Sequence, residues 1–263
     1  MILSFLNQKG GVGKTTIAHN TAYYLAKTLN KKTLLIDLDP QGNTSSIYCV
    51  DKEKEPSVSN IFKEKNFDTN HVIYNACLNG SPISNLDILH SNKNISQALK
   101  EIPIRTHREK ILSKAIERIV VKYDYIIIDC PASIEDSVIN AIYASDKFII
   151  PIEMGGFVSS AIQDMLEIIA EVKEYDSLNK LLESNCIMFV KNKIDKRGTR
   201  FNQTIIDELK PIQNYIFDNG IHHSLFVSKA TNNLMPIIEY KEMPKNIIND
   251  YRKYIEELIN KCS

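Results

Sequence analysis

The run Lys9-Gly10-Gly11-Val12-Gly13-Lys14-Thr15-Thr16 holds the residue types that grip phosphate. Glycines let successive backbone N–H groups turn onto anionic oxygens, where a Cβ would obstruct the approach. A helix opening near Thr15 adds the positive end of its dipole. In such a loop Lys14 bridges the β- and γ-phosphates, and the Thr15 hydroxyl ligates Mg2+. In the frame GxxxxGK[ST], Gln8 stands where the leading glycine belongs, so the loop is a variant. Lys9 precedes the glycines, and the loop's curvature aims it away from the phosphates that Lys14 serves. It is either an exposed basic residue or a group acting on the nucleotide of a second subunit.

Carboxylates follow two other apolar runs. Leu35-Ile36-Asp37-Leu38-Asp39-Pro40-Gln41-Gly42-Asn43 leads a strand into paired acids, and Tyr125-Ile126-Ile127-Ile128-Asp129 ends a second strand in one. Acids at the carboxyl edge of an open α/β sheet stand where ligands bind. Asp129 fits a Walker B position, holding Mg2+ through water, while either Asp37 or Asp39 taken alone could merely cap a turn. A third apolar run, Cys186–Val190, enters Lys191-Asn192-Lys193-Ile194-Asp195, which matches the NKxD pattern that GTPases use to read guanine. A purine is expected near Asn192, and GTP stays open beside ATP.

These groups need strands to deliver them to one edge. Ile2–Leu6, Thr33–Ile36, Tyr125–Ile128, Phe148–Ile152 and Cys186–Val190 are nearly continuous apolar runs, as expected of strands buried on both faces. Helical spacing lies between them, at Thr15–Leu29, Arg108–Lys122, Ile134–Ala144, Ser159–Tyr175 and Phe201–Leu209. The alternation predicts an α/β fold, a twisted mostly parallel sheet with helices on both faces. Residues 51–103 read as a peripheral insertion with a short helix near Val58–Lys65 and a strand at Leu86–Leu89. Near the carboxyl end, Lys245–Lys261 places Ile247, Ile248, Tyr251, Tyr254, Ile255, Leu258 and Ile259 on one stripe, a helix expected to dock on the core.

With 263 residues, 32 basic against 32 acidic and 43% hydrophobic, the chain is of ordinary globular composition. A single domain over 1–263 is expected. Zero net charge gives no long-range pull on nucleic acid, so DNA contact must come from a local patch. Five scattered cysteines form no CxxC or Cys/His cluster, so neither a disulfide framework nor a zinc site is indicated. No apolar run reaches the roughly 18 residues of a membrane span, and no leader pattern is visible, so the cytoplasm is expected.

The loop Lys9–Thr16 and the Asp37–Asn43 tract together resemble the deviant Walker motif and DxDPQGN sequence of the ParA/MinD ATPases, ParA-like rather than MinD-like. That resemblance covers nearly the whole chain. It implies a P-loop ATPase that takes ATP and Mg2+ and closes a sandwich homodimer, with Lys9 crossing to the partner's phosphates. It further implies that Asp39 orients the attacking water, that Asp37 lies in the outer shell of Mg2+, and that Asn192 sits near the base. Relatives in that family bind DNA nonspecifically as ATP dimers and are stimulated by a ParB-type partner, giving plasmid or chromosome segregation. Lys196, Arg197, Arg200, Lys229, Lys241 and Lys245 are the DNA candidates here.

Some positions depart from the family pattern. Ala132 follows Pro131 where a second proline is usual, Phe226 replaces an arginine that contacts DNA, and Lys229 replaces a common glutamate. The loop begins at residue 9, so no helix-turn-helix module is expected ahead of it. The alternatives are a MinD-like positioning ATPase for a protein or membrane cargo and a GTPase of the same superfamily. The DPQG tract and the mixed charges Asp250, Lys253, Glu256, Glu257 and Lys261 weigh against a membrane helix.

Overall fold

The computed structural model describes residues 1–48, 56–153, 159–195 and 209–262. Its strands are β1 (Ile2–Phe5), β2 (Thr33–Asp37), β3 (Ile73–Leu78), β4 (Ser81–Leu89), β5 (Tyr125–Asp129), β6 (Lys147–Glu153) and β7 (Ile187–Asn192). They follow the order β3-β4-β2-β5-β1-β6-β7 in one seven-stranded sheet. The pairings of β1 with β5, β2 with β4 and β5, and β6 with β7 are parallel, and β3 with β4 is antiparallel. The expected α/β fold with a mostly parallel sheet is therefore present. The chain clusters into two compact units, Met1–Phe5 with Thr15–Asp146, and Leu6–Lys14 with Lys147–Ser263.

In the first unit β2 is buried along its whole length, and Ile126, Ile127 and Ile128 of β5 have no exposed surface. Such strands tolerate no polar face, which is why their sequence is continuously apolar. Their register sets Ile36 beside Ile128 and Asp37 beside Asp129, so two carboxylates finish adjacent strands at the same level. The helices of this unit are most of α1 (Lys14–Lys27), then α2 (Asn43–Ile47), α3 (Val58–Lys63), α4 (Asn94–Glu101), α5 (Ile111–Glu117) and α6 (Asp136–Ala144).

Two elements differ from the sequence reading. Residues 73–89 form a hairpin whose second strand pairs with β2; it holds the strand expected at Leu86–Leu89, begins it earlier at Ser81, and adds β3, which the sequence reading lacked. Its turn is Asn79-Gly80, both with positive φ (49° and 76°), the geometry that two-residue hairpins favour. The single helix expected over Arg108–Lys122 is instead α5, flanked by 3-10 turns at Arg108–Lys110 and Val120–Lys122. His107 stands at φ 57° before it, and the β-branched run Ile119-Val120-Val121 after it loses side-chain freedom in a helix.

The second unit holds β6 and β7 with α7 (Ser159–Val172), α8 (Leu178–Glu183), α9 (Leu225–Asn232) and α10 (Lys245–Cys262). The helix expected over Phe201–Leu209 falls on residues outside the described set, apart from Leu209. On α10 five residues of the predicted stripe, Ile247, Tyr251, Tyr254, Ile255 and Leu258, are buried, and Ile248 and Ile259 at its border are half-exposed. Glu257 adds polar anchors, accepting from the backbone N–H groups of Asp218 at 2.9 Å and Asn219 at 3.0 Å. Leu258→Ala should therefore cost about 2–5 kcal/mol, read as a lower urea midpoint at unchanged slope. A midpoint within error of the parent would mean that α10 contributes no packing.

Candidate functional site

The glycine loop lies in the second unit. Asn7 ties its start in place: the Asn7 amide donates to the Pro151 carbonyl at 2.8 Å, and its Oδ1 accepts from the Lys9 N–H at 2.8 Å. Gly11 and Gly13 adopt φ of 76° and 97°, a region costly for any side-chain-bearing residue. A Cβ built on Gly10 or Gly11 would meet no atom within 4 Å, so the loop borders open space there. Val12 is buried, and its carbonyl accepts from the Asn192 amide at 2.8 Å. Asn192, the last residue of β7, thus braces the loop's crown.

Lys14 is only 7% exposed, and its Nζ donates to the Lys9 carbonyl at 3.4 Å. A largely desolvated ammonium beside glycine-rich main chain is strongly biased toward an anion. Lys9, by contrast, has an exposed side chain. Thr16 follows in α1, its carbonyl accepting from the Asn20 amide at 2.7 Å.

The carboxylates belong to the first unit, and hydroxyls cover them. Asp129 accepts from Thr15 Oγ1 at 3.2 Å and from Thr44 Oγ1 at 2.7 Å, each on a different oxygen. Asp37 accepts on Oδ2 from both the Ser45 N–H (2.9 Å) and the Ser45 hydroxyl (2.6 Å), and on Oδ1 from the Asp39 N–H (3.0 Å). Ser45 Oγ in turn accepts from the Ser91 N–H at 3.0 Å, wiring the end of β4 to the same carboxylate. Burial pushes the carboxyls of Asp37 and Asp129 well above their ordinary range, and for Asp129 the neighbouring Asp37 charge adds to that push. Asp39 is half-buried and accepts from the Gln41 N–H at 2.9 Å in a tight turn.

Thr44, Ser45 and Asn7 went unread in the sequence. The hydroxyls stand just past the Asp37–Asn43 tract on α2, and their partners become visible only once that short helix folds over the strand ends.

Among the DNA candidates, Lys196, Arg197 and Arg200 lie outside the described residues. Lys229, Lys241 and Lys245 are exposed in the second unit. Lys229 Nζ lies over the Phe226 ring, 4.9 Å from its centroid, so a cation stands on that ring.

A family model described as an AAA domain matches residues 1–184. The chromosome-partitioning ATPase Soj of Treponema pallidum (strain Nichols) is 31% identical over 258 residues, 98% of this chain and 96% of that protein. The chain belongs to the ParA family of ATPases. A plasmid partition protein from Borrelia burgdorferi B31 solved with AMPPNP shares the fold at TM-score 0.79 and 23% identity, covering 99% of this chain and 98% of that one. Cobyrinic acid a,c-diamide synthase from Mycobacterium smegmatis, solved with an ATP analogue and magnesium, does so at TM-score 0.75 and 21% identity, covering 98% and 93%.

The oxygens of Thr15, Asp129 and Asp37 are hard donors of the kind that Mg2+ takes. Among the described residues no group of three or more His, Cys, Asp or Glu could hold a metal ion. No helix among the described residues is long and apolar enough to cross a membrane.

Proposed function

We propose that the chain hydrolyses ATP, that its ATP-bound form is a homodimer holding DNA without sequence preference, and that a ParB-type partner accelerates hydrolysis to drive plasmid or chromosome partition. The observation that carries this reading is the buried Lys14 ammonium at a glycine loop, directly followed in sequence by Thr15 on the Walker B aspartate Asp129. The partition role draws on the Soj relative, and the nucleotide on the AMPPNP-bound neighbour.

In the proposed reaction the loop N–H groups and Lys14 bind the β- and γ-phosphates and need no reorganisation as charge develops. Mg2+, when bound near Thr15, Asp37 and Asp129, supplies positive charge at the phosphate oxygens. Asp39 orients the attacking water in line with the γ-phosphate. Ser45 fixes Asp37, and through the Asp39 N–H that carboxylate fixes the turn from which Asp39 projects. Lys9, exposed on the loop, reaches the nucleotide of the second subunit. Asn192 holds the loop by Val12 at the strand end where the purine lies, and ATP is the nucleotide.

DNA contact in this scheme is phosphate-directed, through Lys229, Lys241 and Lys245 together with Lys196, Arg197 and Arg200. Binding to a random-sequence duplex, measured with ATP, ADP, GTP or no nucleotide across a salt series, tests it. Saturable binding with ATP, falling linearly in log affinity against log salt, is expected. Equal binding in every nucleotide state, or only with GTP, would contradict the scheme.

A further inference from the structure

Within the first unit, a concave surface between α3, the turn after it, the 104–107 loop and α5 encloses about 540 Å3. That falls in the roughly 300–1,000 Å3 range of ligand sites. None of its lining residues belongs to the nucleotide machinery described above.

The floor is apolar, formed by Ile61, Phe67, Ile111 and Ala115. Ile104, also in the lining, is a large aliphatic group 92% exposed. The lining is mostly cationic, with Lys65, Arg105, Lys114 and Arg118 against Glu64, and Asp68 beside it interacts electrostatically with Arg118. Arg105 Nη2 donates to the Lys63 carbonyl, and Arg118 Nη1 donates to the Phe67 carbonyl at 3.4 Å. A guanidinium has five N–H donors, so each arginine is steadied by main chain and keeps donors for an incoming acceptor. Lys65 and Lys114 form no ion pair among the described residues.

We propose that this groove docks an acidic, amphipathic peptide segment of a partner protein. An apolar side chain of the segment seats on Ile61 and Phe67, and its flanking carboxylates meet Arg105, Lys114 and Arg118. Charge complementarity selects the acidic partner, and the apolar floor selects a peptide over a nucleic acid, whose phosphate backbone brings nothing to fill it. The site is separate from the nucleotide reading and stands or falls without it.

The test titrates the full chain into a fluorescein-labelled synthetic helix of about 16 residues built from Glu and Leu in amphipathic register. Saturable anisotropy is expected, weakened about tenfold or more by Lys114→Glu with Arg118→Glu. A peptide with Lys in place of Glu should bind that variant better than the parent. Ile104→Ser, at an exposed position that folding does not depend on, should weaken the acidic peptide severalfold. ATP binding should be unchanged in both variants. Absence of saturation, equal affinity in the charge-reversed variant, or displacement of the peptide by duplex DNA or inorganic phosphate would overturn the proposal.

Discussion

Replacing Lys14 by alanine should abolish ATP binding. The ammonium is nearly buried and is held beside the Lys9 carbonyl at the mouth of the glycine loop, so its charge is poorly screened by water. Each charge-assisted hydrogen bond that it makes to a phosphate oxygen is worth about 1.5–3 kcal/mol. Loss of two such bonds lowers affinity by at least about 100-fold, since each 1.4 kcal/mol is tenfold. Titration calorimetry with ATP and Mg2+ reads this directly. Lys14→Gln, which keeps the stem and a neutral donor, separates lost charge from lost packing and should also bind weakly. ATP affinity within threefold of the parent in Lys14→Ala would remove the loop from the account.

Asp39→Ala should keep ATP binding and lose hydrolysis. The Asp39 side chain is half-buried and fixed by the Gln41 N–H, while its own N–H rests on Asp37, so its carboxylate projects from a turn with little freedom. A positioned carboxylate acting on a water contributes about 10²–10⁴ in rate. Single-turnover hydrolysis should fall by at least about 100-fold, with the ATP-bound form accumulating. Because alanine also removes the acceptor for Gln41, Asp39→Asn is the companion variant: it retains that acceptor and loses the charge. Equal loss in both assigns the effect to the carboxylate. Unchanged turnover in either would move water activation to another group.

Much of the candidate site stands out in the sequence because the chemistry proposed for it dictates local sequence. A phosphate loop demands glycines, a lysine and a hydroxyl in fixed order between a strand and a helix, so Lys9–Thr16 announces itself. Strands buried on both faces must be continuously apolar, and β2 and β5 therefore showed their ends, including the acids, without a structure. β3 was hidden because it is an edge strand with Asn75 and half-exposed neighbours, which blur the apolar pattern. Its turn, Asn79-Gly80, was the better signal and was available in the sequence. Thr44 and Ser45 were not legible, since serine and threonine after a Gly-Asn pair ordinarily face solvent. Their hydrogen bonds to Asp129 and Asp37 exist only because α2 brings them down onto two adjacent strands. The break in the predicted 108–122 helix was foreshadowed by its β-branched end, outweighed in the sequence by helical spacing.

A loop that binds nucleotide within one subunit needs no lysine at position 9, so Lys9 decides whether the nucleotide joins two subunits. Sedimentation velocity of the parent and of Lys9→Ala, each with ATPγS and Mg2+ or with ADP, tests it most directly. The parent should be a dimer with ATPγS alone, and Lys9→Ala a monomer that still binds the analogue. A Lys9→Ala variant that dimerises with ATPγS as the parent does would contradict it.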